Sequence, residues 1–291
     1  MIAKIIKMQK DLYYVDNQEK IFMAKARGKF RNRKLKPLVG DNVEIDLIDN
    51  NNAYITEIKK RRNVLKRPEI SNLDQLLVFQ TLKNPPSNLY NLDKYLAMCE
   101  YKNINAILVL SKVDLYKDFE IEEFKEKYKS TNYKIIELDN TKEDINENIL
   151  KVLQNKTSAL TGASGVGKSS LLNNLLKDKN IEIGEISRKN RRGKNTTRHT
   201  ELFKISNNTY VFDTPGFESF DSDFIEDERD LKDTFIEFKN IGDCKFKNCN
   251  HIKEPGCKVK EAVDSGKISN SRYENYVSLY REIMNRRKNK W

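Results

Sequence analysis

The chain is short of histidine and cysteine, and it has no long apolar run. No unbroken apolar stretch reaches the roughly 20 residues that cross a bilayer, so no membrane-spanning helix is expected. The N-terminal segment MIAKIIKMQKDLYYVD breaks its apolar residues with lysine every few positions. A secretory signal needs a continuous apolar centre, so this segment reads as a β-strand of a cytoplasmic protein. A disulfide framework is excluded in the same way. Of four cysteines, Cys99 stands alone, while Cys244, Cys249 and Cys257 share one short window with His251, one of only two histidines. That spacing belongs to metal binding rather than to a stapled secreted domain.

What the chain does have is length and charge. Its 291 residues exceed the usual single-domain size, so two or three compact units are expected. A composition 38% hydrophobic and 33% charged fits globular units with heavily charged surfaces. Lysine and arginine outnumber aspartate and glutamate 54 to 43, giving a formal charge of +11. Such an excess favours polyanionic partners, nucleic acid first, through long-range attraction and counterion release. Genome base bias produces the same Lys- and Asn-rich composition without any such partner.

Residues 1–65 read as a β-barrel domain. Short strands are expected at Lys4 to Met8, Leu12 to Val15, Ile21 to Ala26, Val43 to Leu47 and Tyr54 to Ile58, and alternation places Val43, Ile45 and Leu47 on one face. Five short strands suit an oligonucleotide-binding (OB) barrel, with the basic stretch from Lys25 to Arg33 on one of its loops. From Lys59 through Pro68 a linker is expected, and residues 70–223 then alternate strands with helices, which implies a parallel sheet. Residues 224–291 turn polar and mainly helical, hold the cysteine cluster and end in a helix from Ser271 to Arg287.

Four motifs carry chemistry. Gly162, Ala163, Ser164, Gly165, Val166, Gly167, Lys168 and Ser169 satisfy G-x4-G-K-[ST] between a strand and a helix, and Ser170 continues into the helix. Glycines let consecutive N–H groups and the helix N-terminus close round phosphate oxygens. Lys168 then reaches the β and γ phosphates, and the Ser169 hydroxyl offers a ligand to Mg²⁺. Downstream, Asp213, Thr214, Pro215 and Gly216 follow a strand, where Asp213 sits beside the same magnesium and Gly216 meets the γ-phosphate. Between these motifs lies a polar basic loop in which Thr196 or Thr197 supplies a metal ligand. Upstream, Ser111, Lys112, Val113 and Asp114 at a strand end resemble the [NST]-K-x-D motif that reads guanine. The two oxygens of Asp114 accept from the ring N–H and the exocyclic amine, while the stem of Lys112 covers the base. Finally, Cys244-x4-Cys249-x-His251-x5-Cys257 offers four ligands for a closed tetrahedral site holding one zinc ion per chain, with no open position for catalysis.

Order is the informative feature: the guanine motif precedes the phosphate loop, the reverse of conventional GTPases. Together with Val39-Gly40-Asp41, Leu92-Asp93-Lys94-Tyr95-Leu96, Thr196-Thr197-Arg198-His199, Asp213 to Phe217 and the cysteine cluster, this order resembles the circularly permuted GTPases, specifically the ribosome small-subunit-dependent GTPase A (RsgA) family. The resemblance covers nearly the whole chain. It implies an N-terminal OB barrel, a central permuted P-loop GTPase domain and a C-terminal zinc domain. It also implies GTP and Mg²⁺ as ligands, the small ribosomal subunit and its rRNA as partners, and hydrolysis stimulated by the subunit; nothing in the sequence suggests a dimer, so a monomer is expected. Two positions depart from the usual patterns. Phe217 stands where many GTPases carry a water-orienting glutamine, and Asn195 stands where the family often has histidine. Two other readings compete: an RNA-binding scaffold with a vestigial nucleotide site, and an ATP-dependent P-loop enzyme.

Overall fold

The computed structural model describes residues 1–27, 30, 36–139, 141, 147–177, 200–213 and 222–289. Strands β1 (Ile2–Gln9), β2 (Leu12–Asp16), β3 (Ile21–Ala26), β4 (Asn42–Leu47) and β5 (Asn52–Ile58) come first. A hairpin of β6 (Val64–Lys66) and β7 (Glu69–Ser71) occupies the stretch read as a linker. Then follow β8 (Gln75–Gln80), α1 (Leu89–Lys102), β9 (Asn105–Ser111), α2 (Asp118–Tyr128), β10 (Lys134–Leu138), α3 (Glu147–Leu153), β11 (Thr157–Thr161) and α4 (Lys168–Lys177). The chain continues through β12 (Glu201–Ser206), β13 (Thr209–Asp213), α5 (Lys258–Asp264) and α6 (Asn270–Lys288). Among the described residues no helix is long and apolar enough to cross a membrane. By its contacts the chain divides into two compact units, residues 1–75, 142–161 and 167–218 in one, and 76–141, 162–166 and 219–291 in the other.

In the first unit, β1 to β5 form a closed barrel in the order β1-β2-β3-β5-β4, with β4 returning to β1. Closure works because β3 and β5 run parallel while the other pairs are antiparallel, the five-stranded partly Greek-key arrangement of an OB barrel. Inward residues such as Ile5, Val15, Ala24, Val43, Ile45 and Ile55 form its core. Leu47 departs from the alternation: it is 49% exposed, because β4 runs past the barrel rim into the Asp49 to Asn52 turn. The basic stretch after Lys25 lies mostly outside the described residues.

Gly40 sits at the foot of the barrel with φ +96°, and a Cβ there would lie 2.1 Å from the Ser71 carbonyl oxygen. The close approach lets the fully buried Asp41 carboxylate take the Arg61 guanidinium through Nε and Nη2, both at 2.7 Å, and the Ser71 hydroxyl at 2.6 Å. The sequence turn Val39-Gly40-Asp41 therefore fastens the barrel to the β6–β7 hairpin. Next to the barrel, β12 pairs with β1 and then with β13, and β13 runs parallel to β11. The sequence reading missed β12.

In the second unit the strand order is β10-β9-β8, with β9 and β10 parallel. β9 is buried from Ala106 through Ser111, which explains its unbroken apolar sequence. α1 starts where the Asn88 side chain accepts the Tyr90 N–H at 2.8 Å, and it stops at Asn103, whose left-handed backbone returns its N–H to the Cys99 and Glu100 carbonyls. The C-terminal helix α6 packs against α1, with Tyr276, Leu279 and Ile283 buried.

Candidate functional site

β9 delivers the guanine motif. The strand ends at the buried Ser111, whose hydroxyl donates to the Val166 carbonyl at 2.6 Å, so the motif's first residue is tied directly to the phosphate loop. Lys112 follows in the left-handed region with φ +60°, a backbone that turns the chain out of the sheet at once. Its ammonium donates to the Asn84 carbonyl. A single 3-10 turn, Val113–Leu115, then presents Asp114 to solvent, with its carboxylate able to meet a ligand.

The phosphate loop leaves the buried strand β11 and enters α4. Gly162, Gly165 and Gly167 all have positive φ, at 138°, 77° and 101°. A Cβ on Gly162 would meet the Phe79 carbonyl oxygen at 2.5 Å, so the loop passes β8 more closely than any side chain permits. Val166 is buried and anchors the loop, whereas Ala163, Ser164 and Gly165 are exposed and leave their backbone facing solvent. In α4, Leu171, Leu172, Leu175 and Leu176 are buried, and this apolar face leaves Ser169 and Ser170 exposed on the first turn; Lys168 opens the helix. A glycine-rich turn at a helix start, followed by a lysine, is the arrangement that holds phosphate.

Asp213 is the last residue of β13, and β13 runs beside β11 with Ala159 opposite Phe212. The two strands therefore end side by side. Aspartate carboxylates and serine hydroxyls are hard oxygen donors of the kind magnesium takes. Thr196, Thr197 and Gly216 lie outside the described residues, as do Asn195, His199, Phe217 and the Asp213 side chain.

The second site is the cysteine cluster. The ligand atoms of Cys244, Cys249, His251 and Cys257 lie within 4.8 Å of one another. Cys244 Sγ is 4.0 Å from Cys257 Sγ, and His251 Nδ1 is 3.6 Å from Cys244 Sγ and 3.3 Å from Cys257 Sγ. Zinc with its ordinary bond lengths spans tetrahedral edges of about 3.6–3.8 Å, so these four atoms fit one ion. His251 reaches this geometry through a left-handed backbone, φ +60°.

Sequence reasoning missed what holds that backbone. The Glu254 carboxylate accepts the N–H groups of Asn250 at 2.9 Å, Ile252 at 3.0 Å and Lys253 at 2.9 Å. Burial works to raise its pKa, but these backbone donors prevail and bring it down to about 2. The only signal in the sequence was an acid lying inside a Cys/His loop and followed by Pro-Gly. Tyr273 and Tyr276 brace the same loop, their hydroxyls donating to the His251 and Asn250 carbonyls at 2.8 and 2.6 Å.

The family described as RsgA GTPase matches residues 58–223, and the one described as RsgA N-terminal domain matches residues 3–55. A curated relative from Clostridium novyi, named small ribosomal subunit biogenesis GTPase RsgA, is 46% identical over 96% of both chains. A relative of the same name from Clostridium botulinum strain Kyoto is 43% identical over the full length of both. Among solved structures, YjeQ from Thermotoga maritima superposes with a TM-score of 0.81 at 33% identity, covering 97% of this chain and 98% of its own. YloQ, described as a circularly permuted GTPase, superposes at 0.82 with 35% identity over 98% of this chain and 95% of its own.

Proposed function

The chain belongs to the RsgA GTPase family and is a GTP hydrolase, and from that premise we propose that it acts in late maturation of the small ribosomal subunit. It binds the subunit and its rRNA in the GTP state, and hydrolysis, stimulated by the subunit, releases it. The observation that carries the nucleotide reading is the Ser111 hydroxyl on the Val166 carbonyl at 2.6 Å. That bond supports a single site in which a segment early in the chain and a loop some fifty residues later address one molecule. The names of the curated relatives support the partner, as does the formal charge of +11.

In this reading residues 162–170 wrap the triphosphate and Lys168 neutralises it, while Ser111, Lys112 and Asp114 select guanine. Ser169 and Asp213, with Thr196 or Thr197, hold magnesium, which supplies charge neutralisation on the phosphates. Gly216 meets the γ-phosphate. Phosphoryl transfer depends mainly on positioning and charge, so a partner that completes the site raises the rate without new covalent chemistry. The parts are a barrel domain at 1–65, a GTPase domain at 70–223 and a zinc domain at 224–291, in a cytoplasmic monomer. The direct test is GTP turnover with and without purified small subunits across a salt series. Stimulation that fades as salt rises is expected; equal turnover in all conditions, with no GTP-dependent co-sedimentation, sinks the proposal.

Zinc at Cys244, Cys249, His251 and Cys257 staples a polar segment with little core of its own. Because Glu254 holds the ligand loop through three backbone N–H groups, Glu254→Gln is expected to weaken zinc retention about 10–100-fold. Competition with a chromogenic chelator measures this, and GDP affinity should be unchanged in the same preparation.

A further inference from the structure

We infer that the Tyr116 hydroxyl is a positioning group for guanine recognition, pinning the loop at 82–87 to the strand end that carries Ser111, Lys112 and Asp114. The inference rests on the guanine reading of residues 111–114. Tyr116 directly follows the turn that presents Asp114, and its N–H donates to the Val113 carbonyl at 3.1 Å. Its hydroxyl bridges two backbones: it donates to the Ser111 carbonyl at 2.8 Å and accepts the Leu82 N–H at 3.0 Å. Both polar backbone groups of these two segments are thus satisfied by one side-chain atom. A phenyl ring of the same shape would leave them without that partner.

The loop so held is stiff. Thr81 Oγ1 donates to the Pro85 carbonyl at 2.6 Å, the Ser87 N–H donates to the Thr81 carbonyl at 2.9 Å, and the Thr81 N–H donates to Ser87 Oγ at 3.1 Å. Such a turn moves as a body, and it meets the nucleotide-binding segments at three places. Leu82 meets the Tyr116 hydroxyl, the Asn84 carbonyl takes the Lys112 ammonium, and Pro85 lies beside Gly165, where a Cβ would sit 3.5 Å from its Cδ. Ser111 is committed on both sides, its hydroxyl to Val166 and its carbonyl to Tyr116. Asp114 is exposed and carried on a single turn, so its aim depends on how firmly Ser111 and Tyr116 clamp the two ends of that turn.

Guanine offers Asp114 two donors, a ring N–H and an exocyclic amine, and engaging both needs closer alignment than engaging one. Loosening the clamp therefore costs most for a base that presents both. Inosine lacks the amine and presents one. The experiment measures GDP and IDP affinity, with magnesium, for the parent protein and Tyr116→Phe. GDP affinity is expected to fall about tenfold and IDP affinity less than about threefold, with the melting temperature nearly unchanged. In an Asp114→Ala background the Tyr116→Phe effect should vanish, since the two residues act on one contact.

An equal loss for both nucleotides overturns the inference, because a merely structural role would move both alike. So does a Tyr116→Phe effect that persists without Asp114. A parent protein that binds ADP as tightly as GDP is a different failure: it overturns the guanine reading and takes the role of Tyr116 with it.

Discussion

Arg272→Met should destabilise the second unit by about 3–5 kcal/mol, the usual cost of removing one member of a buried ion pair. Arg272, on the first turn of α6, is 1% exposed. Its Nη1 donates to Asp93 Oδ1 at 2.5 Å, and Nε and Nη2 donate to the two oxygens of Glu237 at 2.6 and 3.0 Å. The guanidinium also lies over the rings of Phe235 and Tyr128, at 5.0 and 5.3 Å. Asp93 is completed by Asn275 Nδ2 at 2.6 Å and the Tyr128 hydroxyl at 3.0 Å. Methionine fills much of the volume but leaves two carboxylates buried together without a cation. Replacing all three partners, as Arg272→Met with Asp93→Leu and Glu237→Met, should recover most of the loss, because an apolar set of similar size removes the uncompensated charge. Urea unfolding of the three proteins checks both statements. A single variant within about 0.5 kcal/mol of the parent, the range of ordinary surface changes, would show that the network is not what holds α6 to α1.

The network also explains Asp93, which helical spacing leaves unaccounted for. Leu92, Tyr95 and Leu96 bury the face of α1, as helical spacing predicts, but Asp93 is buried among them because its partner comes from 179 residues away. Nothing local marks Arg272 as that partner; it is one cation on a helix rich in them. Legible features were those whose cause is local. Alternation marked the barrel strands, glycine and lysine spacing marked the phosphate loop, and ligand spacing marked the metal cluster. The permuted order was legible because each motif sits at a strand end. What escaped depended on distant partners. The β6–β7 hairpin exists because Asp41 and Gly40 draw Arg61 and Ser71 in, although its own sequence is charged and short. β12 is a strand because β1 and β13 flank it, with Lys7 paired to Glu201 at 3.1 Å. Leu47 read as core because alternation carries no information about where a barrel ends.

Gly162→Ala and Lys168→Ala should both abolish tight GTP binding, and they should do so in ways that separate geometry from charge. At Gly162 the backbone has φ +138°, a conformation costing an alanine about 1–3 kcal/mol, and the added methyl would also be forced to within 2.5 Å of the Phe79 carbonyl oxygen. The loop must therefore shift or the end of β8 must give, so Gly162→Ala should lose thermal stability as well as affinity. Lys168 opens α4 on a half-buried site, where alanine is a better helix former and meets no clash. Its removal takes away a charge-assisted contact to phosphate, and at least about a hundredfold loss of GTP affinity is expected with the melting temperature preserved. Paired calorimetric titration and thermal melts distinguish the two. Retained affinity in Lys168→Ala would remove the phosphate assignment. Retained stability in Gly162→Ala would mean that the close passage of the loop over Phe79 is not required, and that the glycine serves only to let phosphate approach.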